Sequence, residues 1–230
     1  MGNCDGIRVH FKSYRCHKIP QFGVVSDYVA EEANLQICEN SRYCFILQYM
    51  STGYRIDDQY VMYFLTFTIV DWVDIFSRKS YRDIVIESLD FCIKTKGLKV
   101  YGYVVMTNHI HLIAHSPDGR LSDIVRDFKK FTARKILETV MHEPESRREW
   151  LLHRFQWNAA QNERSSDHQV WTHENHAASI TSEKFFRQKL NYIHQNPVRA
   201  GWVEREEDYV YSSAKALYTD TKSAIELSYW

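Results

Sequence analysis

The fold of this chain can be worked out from VVMTNHIHLIAH, residues 104–115. Its two halves are apolar, and Thr107-Asn108 between them are residues typical of a short turn or bulge. In a strand, side chains alternate between the two faces of the sheet, so His109 and His111 project from the same face. The stretch therefore predicts two consecutive strands, 99–106 and 109–115, the second of which presents a pair of imidazoles.

Upstream of this stretch, the pattern predicts a strand and then a helix. YVMYFLTFTIV, residues 60–70, is rich in aromatic and β-branched residues, as a buried strand would be. Residues 80–96 carry apolar side chains at helical spacing, and Gly97 follows where a helix commonly ends.

Downstream, two helices are predicted on either side of an irregular segment. The first runs from Ser122 or Asp123 to about Val140. Its inward residues are predicted to be Ile124, Phe128, Phe131 and Ile136. Residues 141–176 are charged and irregular, which predicts loops with one short strand near 155–158. The last helix is predicted over 183–196, ended by Pro197 and Gly201.

The order of these elements predicts an α+β fold, a ferredoxin-like antiparallel sheet flanked by helices. Residues 1–49 lack such periodicity, and we expect them to be an appendage or an upstream extension of the reading frame. No apolar stretch approaches the ~20 residues of a membrane span, so we expect no membrane association.

Charge and cysteine usage narrow the function classes. The chain has 29 basic and 29 acidic residues, so any binding to nucleic acid must come from a local patch. The odd cysteine count and the absence of a CxxC pair favour reduced thiols in a cytoplasmic protein over a disulfide framework. A structural zinc site remains an alternative for four of the five: Cys4, Cys16, Cys38 and Cys44.

Two groups of residues could carry chemistry. His109 and His111 would lie ~6–7 Å apart on one strand face and could reach one metal ion, although a pair of surface histidines fits the spacing too. On the last helix, Tyr192 and Asn196 share a face with Lys189, which could serve a site or form a polar rim.

Basic and aromatic residues could bind nucleic acid. A cluster on the helix over 122–140 could lie along phosphates, or simply face solvent. Its members are Lys129, Lys130, Arg134 and Lys135. Three tryptophans could stack on unpaired bases, although packing in or around the core is the favoured interpretation. They are Trp72, Trp157 and Trp171.

The pair of VVMTNHIHLIAH and KLNYIHQNPVRAGWV (residues 189–203) resembles the single-tyrosine HUH transposases. Within that group it is most similar to the REP-associated tyrosine transposases, relatives of the IS200/IS605 enzymes. The resemblance covers residues 50–218, including DYVYSSAKALY at its end, and leaves residues 219–230 as a C-terminal tail.

This resemblance implies a role for each residue. His109, His111 and Asn196 match the metal ligands, and Tyr192 matches the nucleophile. The implied activity is cleavage and rejoining of single-stranded DNA near hairpins through a covalent 5′-phosphotyrosine, with Mg²⁺ or Mn²⁺ as cofactor. The implied partner is single-stranded or hairpin DNA, bound through the basic cluster and Lys189 by a monomer or homodimer.

Two alternatives stay open at the level of sequence. One is a catalytically inactive protein that only binds hairpin DNA. The other is a metal-dependent phosphodiesterase that uses water and forms no covalent adduct. The assignment of Tyr192 also requires that its helix pack against the strand carrying His109 and His111.

Overall fold

The computed structural model describes residues 55–161 and 167–230. The predicted appendage, residues 1–49, and the four cysteines considered for zinc lie outside the described residues. Cys92 is described and is a buried free thiol.

Nine helices and strands make up the regular structure of the described residues. They are β1 (Tyr63–Thr68), α1 (Lys79–Lys96), β2 (Lys99–Val105), β3 (His109–His115), α2 (Leu121–His142), α3 (Arg148–Ala160), β4 (Ala178–Ser179), α4 (Glu183–Arg199) and α5 (Ala214–Tyr218). Short 3₁₀ turns also occur at Val70–Trp72, Ile75–Ser77 and Glu206–Asp208. None of the helices in this part of the chain is long and apolar enough to cross a membrane.

The four strands form one antiparallel sheet in the order β2-β3-β1-β4. Helix α1 connects β1 to β2 across the sheet, and β3 then inserts between these two strands. This split β-α-β arrangement with flanking helices is the predicted ferredoxin-like α+β fold, and the prediction is confirmed.

The register of β3 divides the sheet into two faces. His109 and His111 pair with Thr68 and Thr66 of β1, so these four side chains share one face. The intervening Ile110 and neighbouring apolar residues point the other way, into a large core formed with α1 and α2. A second core covers the histidine face and includes Ile193 of α4.

Helix α4 lies very close to the sheet at Gly102 of β2. A Cβ atom at this position would stand 2.4 Å from Cδ1 of Leu190, so any side chain here would push the helix side chain aside. Glycine normally weakens a strand, but here it permits a close approach of helix to backbone.

A buried polar network fixes the same helix to β2. The Ser213 hydroxyl accepts a hydrogen bond from the Tyr103 amide (2.9 Å) and lies 2.8 Å from His194 Nε2. The other ring nitrogen of His194 lies 2.8 Å from the Tyr218 hydroxyl. Burial lowers the pKa of His194 to about 4, so the ring is neutral at pH 7.

The segment predicted as loops with a strand at 155–158 contains helix α3 instead. Leu151, Phe155 and Ala159 recur every four residues and are buried, which is a helical stripe. The prediction was wrong because polar and aromatic residues surround this narrow stripe and mask its period. Its hydrogen-bonded turns also exclude a strand at 155–158.

Helix ends and one core residue also differ from prediction. Helix α4 continues to Arg199, and Pro197 lies inside its last turn, because the Asn196 carbonyl still accepts the Ala200 amide. Helix α2 begins at Leu121 without a side-chain cap from Ser122 or Asp123. Phe131 is 42% exposed rather than inward.

Residues 219–230, predicted to be a tail, pack on the domain. Ile225 is buried in the core, and the Ser228 amide donates to the Val100 carbonyl of β2 (2.7 Å). Trp230 contacts Phe186 of α4, with ring centroids 4.7 Å apart. The burial of Ile225 and these two contacts hold the segment against the domain.

We predict that Ser213→Ala lowers the free energy of unfolding by about 1–3 kcal/mol, because the buried Tyr103 amide and His194 Nε2 both lose their partner. Urea denaturation measures this change. The exposed Ser179→Ala is the control and should leave the midpoint unchanged. Equal midpoints for the two variants would contradict a stabilising role for this network.

Candidate active site

The two histidines of β3 lie next to each other on the face covered by α4. Their ring centroids are 4.7 Å apart and the rings meet edge to face. His111 is buried and His109 half-buried. The predicted shared face is therefore observed, and it results directly from strand alternation.

A neighbouring polar group lies within hydrogen-bond distance of Nδ1 in each ring. Asn108 Nδ2 donates to the Trp72 carbonyl (3.3 Å), which turns its Oδ1 towards His109 Nδ1 at 2.6 Å. Since an amide oxygen only accepts, His109 carries its proton on Nδ1. The Thr66 hydroxyl lies 2.8 Å from His111 Nδ1.

The Nε2 atom of His111 is buried and has no hydrogen-bond partner. A buried polar atom without a partner costs free energy unless something binds it. The Thr66 hydroxyl can accept a proton from Nδ1 of His111, and in that tautomer Nε2 carries a lone pair. This is the atom and the protonation state that a metal ion requires of histidine.

Burial also keeps both imidazoles uncharged. It lowers the pKa of His109 to about 4. Burial, followed by the charges of His109 and Lys189, lowers the pKa of His111 to about 3. Both rings are therefore neutral at pH 7 and available as ligands.

Helix α4 places Tyr192 directly over this pair. Its ring centroid lies 5.1 Å from that of His111 and 6.0 Å from that of Phe64. Phe64 in turn stacks on His111 at 5.3 Å. The packing that the assignment of Tyr192 required, α4 against β3, is thus present.

Two cations flank the tyrosine ring. The Lys189 ammonium lies 5.9 Å from its centroid, and the Arg199 guanidinium lies 5.6 Å away. Lys189 also lies over Phe64 at 4.8 Å, and its burial lowers its pKa. These positive groups surround the tyrosine with a field that favours an anion.

Asn196 stands one helical turn after Tyr192 and is half-buried. Its Nδ2 donates to the Tyr192 carbonyl (2.7 Å). The other amide atom, Oδ1, can accept a hydrogen bond or bind a metal ion. Across residues 55–161 and 167–230, no three His, Cys, Asp or Glu side chains form a metal-binding group. Asn196 therefore stays a predicted metal ligand, as the resemblance implies.

The four residues of the predicted basic cluster on α2 differ in their surroundings. The Lys129 ammonium turns inward and donates to the Thr172 carbonyl (2.6 Å) and to Asn175 Oδ1 (2.8 Å). Arg134 and Lys135 both pair with Glu138, whereas Lys130 is exposed. Burial lowers the pKa of Lys129 to about 8, as expected for an ammonium held inside the fold.

The three tryptophans considered for base stacking differ in their exposure to solvent. Trp171 is buried, and its indole N–H donates to Thr132 (3.0 Å), so it packs in the core as favoured. Trp72 and Trp157 are exposed, so neither packs inside the core.

Reasoning from the sequence missed the residues that orient the histidines. Asn108 directly precedes His109, and an amide beside a ligand pair was an available signal. Thr66 lies on another strand and reaches His111 only through the register of β1 with β3.

The class of protein that this fold and site define is a ferredoxin-like domain with a paired-histidine strand facing a tyrosine-bearing helix. The family model described as "Transposase IS200 like" matches residues 60–196. The chain belongs to the IS200-like transposase family, as the resemblance predicted.

Two solved structures are similar to this chain. The structure of a REP-associated tyrosine transposase bound to a REP hairpin has a TM-score of 0.51 and 19% identity, covering 77% of this chain and 95% of its own. A crystal structure described as a putative transposase from Deinococcus radiodurans R1 has a TM-score of 0.35 and 19% identity, covering 63% and 95%. No protein of curated function matches.

We predict that His109 and His111 are neutral Nδ1–H tautomers at pH 7 and remain neutral down to about pH 5, since their pKa values lie near 4 and 3. Long-range ¹H–¹⁵N NMR of histidine-labelled protein reads both properties. The exposed His153 supplies the reference signal of a ring in solvent. Imidazolium signals from either site histidine at pH 7 would contradict the prediction.

Proposed function

We propose that this chain is a metal-dependent single-stranded DNA transesterase of the REP-associated type, with Tyr192 as nucleophile. One observation carries the proposal: the Tyr192 ring lies 5.1 Å from His111, whose buried Nε2 has no partner. A nucleophile beside an unpartnered ligand atom supplies two parts that metal-assisted phosphoryl transfer requires.

The covalent step is an exchange of phosphodiester bonds. After its proton leaves, the Tyr192 oxygen attacks phosphorus, and the bond from phosphorus to the 3′-oxygen breaks. The products are a 5′-phosphotyrosine and a strand whose 3′-oxygen takes up a proton. Attack by a 3′-hydroxyl reverses the step and releases the tyrosine, so cleavage and rejoining need no external energy source.

His109, His111 and Asn196 would hold Mg²⁺ or Mn²⁺. Two imidazole nitrogens and one amide oxygen suit Mn²⁺ and leave positions for phosphate oxygen and water. When bound, the ion would neutralise charge on the phosphate and align it. Asn108 holds the proton of His109 on Nδ1, and Thr66 would accept the Nδ1 proton of His111, so that both Nε2 lone pairs are available to the ion.

The partner that we propose is single-stranded DNA beside a hairpin. The similar transposase whose structure is known was solved with a REP hairpin, which supports this choice by analogy. Lys189 and Arg199, which lie 5.9 Å and 5.6 Å from the Tyr192 ring centroid, would contact the phosphate attacked by Tyr192. Lys130, Arg134 and Lys135 remain predicted phosphate contacts further away, whereas the inward Lys129 is better explained as a structural ammonium.

We predict that Tyr192→Phe abolishes covalent attachment to DNA while DNA binding persists, because only the attacking oxygen is lost. A labelled oligonucleotide taken from the flanks of the gene is incubated with protein and Mn²⁺, and a denaturing gel detects label on the protein band. Tyr101→Phe is the matched control: this half-buried tyrosine contacts Phe186 of the same helix and should leave the adduct intact.

The remaining outcomes of this experiment identify the alternatives. Cleaved DNA without an adduct, equal in wild type and Tyr192→Phe, would favour a phosphodiesterase that uses water. Binding of the oligonucleotide with neither cleavage nor adduct would favour a protein that only recognises hairpins. Either result would contradict the proposal.

We predict that Thr66→Val weakens Mn²⁺ binding about 10- to 100-fold, because His111 loses the partner that holds its proton on Nδ1. Calorimetric titration with Mn²⁺ alone measures the affinity without DNA or activity. Thr95→Val, on the exposed side of α1, is the control. Equal affinities for the two variants would refute the role of Thr66, and wild type without affinity would refute the metal site.

A further inference from the structure

An exposed tryptophan stands at the edge of the candidate active site. Trp72 is 65% exposed, and its ring meets that of His109 edge to face, with centroids 6.0 Å apart. Its carbonyl accepts from Asn108, the residue that orients His109. The position of Trp72 is therefore tied to the site, yet most of its surface faces solvent.

The backbone at this tryptophan is strained. Asp71 and Trp72 have φ values of 52° and 54°, a left-handed conformation that two consecutive non-glycine residues rarely adopt. Such a conformation persists only where the surroundings hold it, and it often marks functional positions. Here the Asp71 carboxylate is held by helix α3, through Asn158 (2.8 Å) and Arg154 (3.7 Å).

Helix α3 carries two more exposed tryptophans on the side that meets this turn. Trp150, Arg154 and Trp157 follow one another at spacings of four and three, so they form a stripe along the helix. Trp150 is 45% exposed and Trp157 is 56% exposed. The Arg154 guanidinium lies 5.8 Å from the Trp150 ring, so a cation stands within the stripe.

This stripe is separate from the core contacts of α3. The helix packs through Leu151, Phe155 and Ala159, all buried, so the exposed tryptophans are not needed to hold it in place. Large apolar rings left in water are unfavourable, and a group of them indicates a binding surface.

We infer that Trp72, Trp157, Arg154 and Trp150 form a stacking surface for unpaired bases of the DNA strand that enters the active site. We call it the tryptophan face. Aromatic side chains bind unpaired bases through their ring faces, and an interspersed guanidinium can contact the intervening phosphates. The inference rests on the proposed function, because the bound strand is the one that Tyr192 attacks. The tryptophan face would bind the part of that strand that lies outside the active site.

The chemistry of the tryptophan face favours a single strand over other partners. In a duplex, the base faces are already stacked and cannot reach a tryptophan ring. The face starts at His109, where a nucleotide beside the cleaved phosphate would lie. The tryptophan face should bind single strands of any sequence, because every base has a ring face that can stack.

The test is the affinity of a fluorescein-labelled oligo-dT of about 20 nucleotides, measured by anisotropy with full-length protein. We expect Trp157→Leu to weaken binding about 5- to 150-fold, the range for one stacked base, and Trp157→Phe to retain most of it. Trp72→Leu should weaken binding in the same range. A blunt-ended duplex, which has no unpaired bases, should bind all variants equally.

Trp230→Leu is the matched control. This tryptophan is 59% exposed but belongs to a segment at the other end of β3 from His109. In that segment, the Ser228 amide donates to the Val100 carbonyl, and Val100 pairs with Ala114 of β3. It should bind oligo-dT as wild type does. The tryptophan face is refuted if Trp157→Leu and Trp72→Leu bind like Trp230→Leu, or if wild type does not bind oligo-dT.

The failure of this inference and the failure of the proposed function are distinguishable. If the tryptophan variants lose binding and wild type forms no Tyr192 adduct, the tryptophan face is supported and the transesterase proposal is rejected. If wild type forms the adduct and both variants bind oligo-dT normally, the transesterase proposal is supported and the tryptophan face is rejected.

Discussion

The close packing of helix α4 on the sheet is the constraint on which the candidate site depends. Tyr192 belongs to this helix and the two histidines belong to β3, so only this contact brings them together. Gly102 lets Leu190 approach β2, and the buried Ser213–His194 pair holds the helix there. A small shift of α4 would separate the tyrosine from His111 without altering any residue of the site, and catalytic geometry tolerates little displacement.

Burial and nearby charges set the electrostatics of the same site. Burial keeps both imidazoles neutral, while Thr66 and Asn108 occupy the Nδ1 side of His111 and His109. Lys189 supplies positive charge next to Tyr192. A protein of zero net charge can therefore present a locally positive site, which the overall composition does not reveal.

Much of the fold and the centre of the site could be predicted from sequence, because strand alternation and helical period are local properties. The shared face of His109 and His111 and the i, i+4 relation of Tyr192 and Asn196 are of this kind. Helix α3 could not be predicted so easily, since its buried stripe is narrow and flanked by tryptophans. The inward turn of Lys129 and the contact of Thr66 with His111 depend on distant segments, so only tertiary packing determines them.

The most direct test of the account is a crystal structure of the protein soaked with Mn²⁺, in which anomalous scattering locates the ion. The account predicts one ion bound by Nε2 of both His109 and His111, with Asn196 Oδ1 as the third protein ligand and the Tyr192 hydroxyl facing it. An ion bound through Nδ1, or bound away from this histidine pair, would contradict this prediction, because Nδ1 of each ring is already hydrogen-bonded to Thr66 or Asn108.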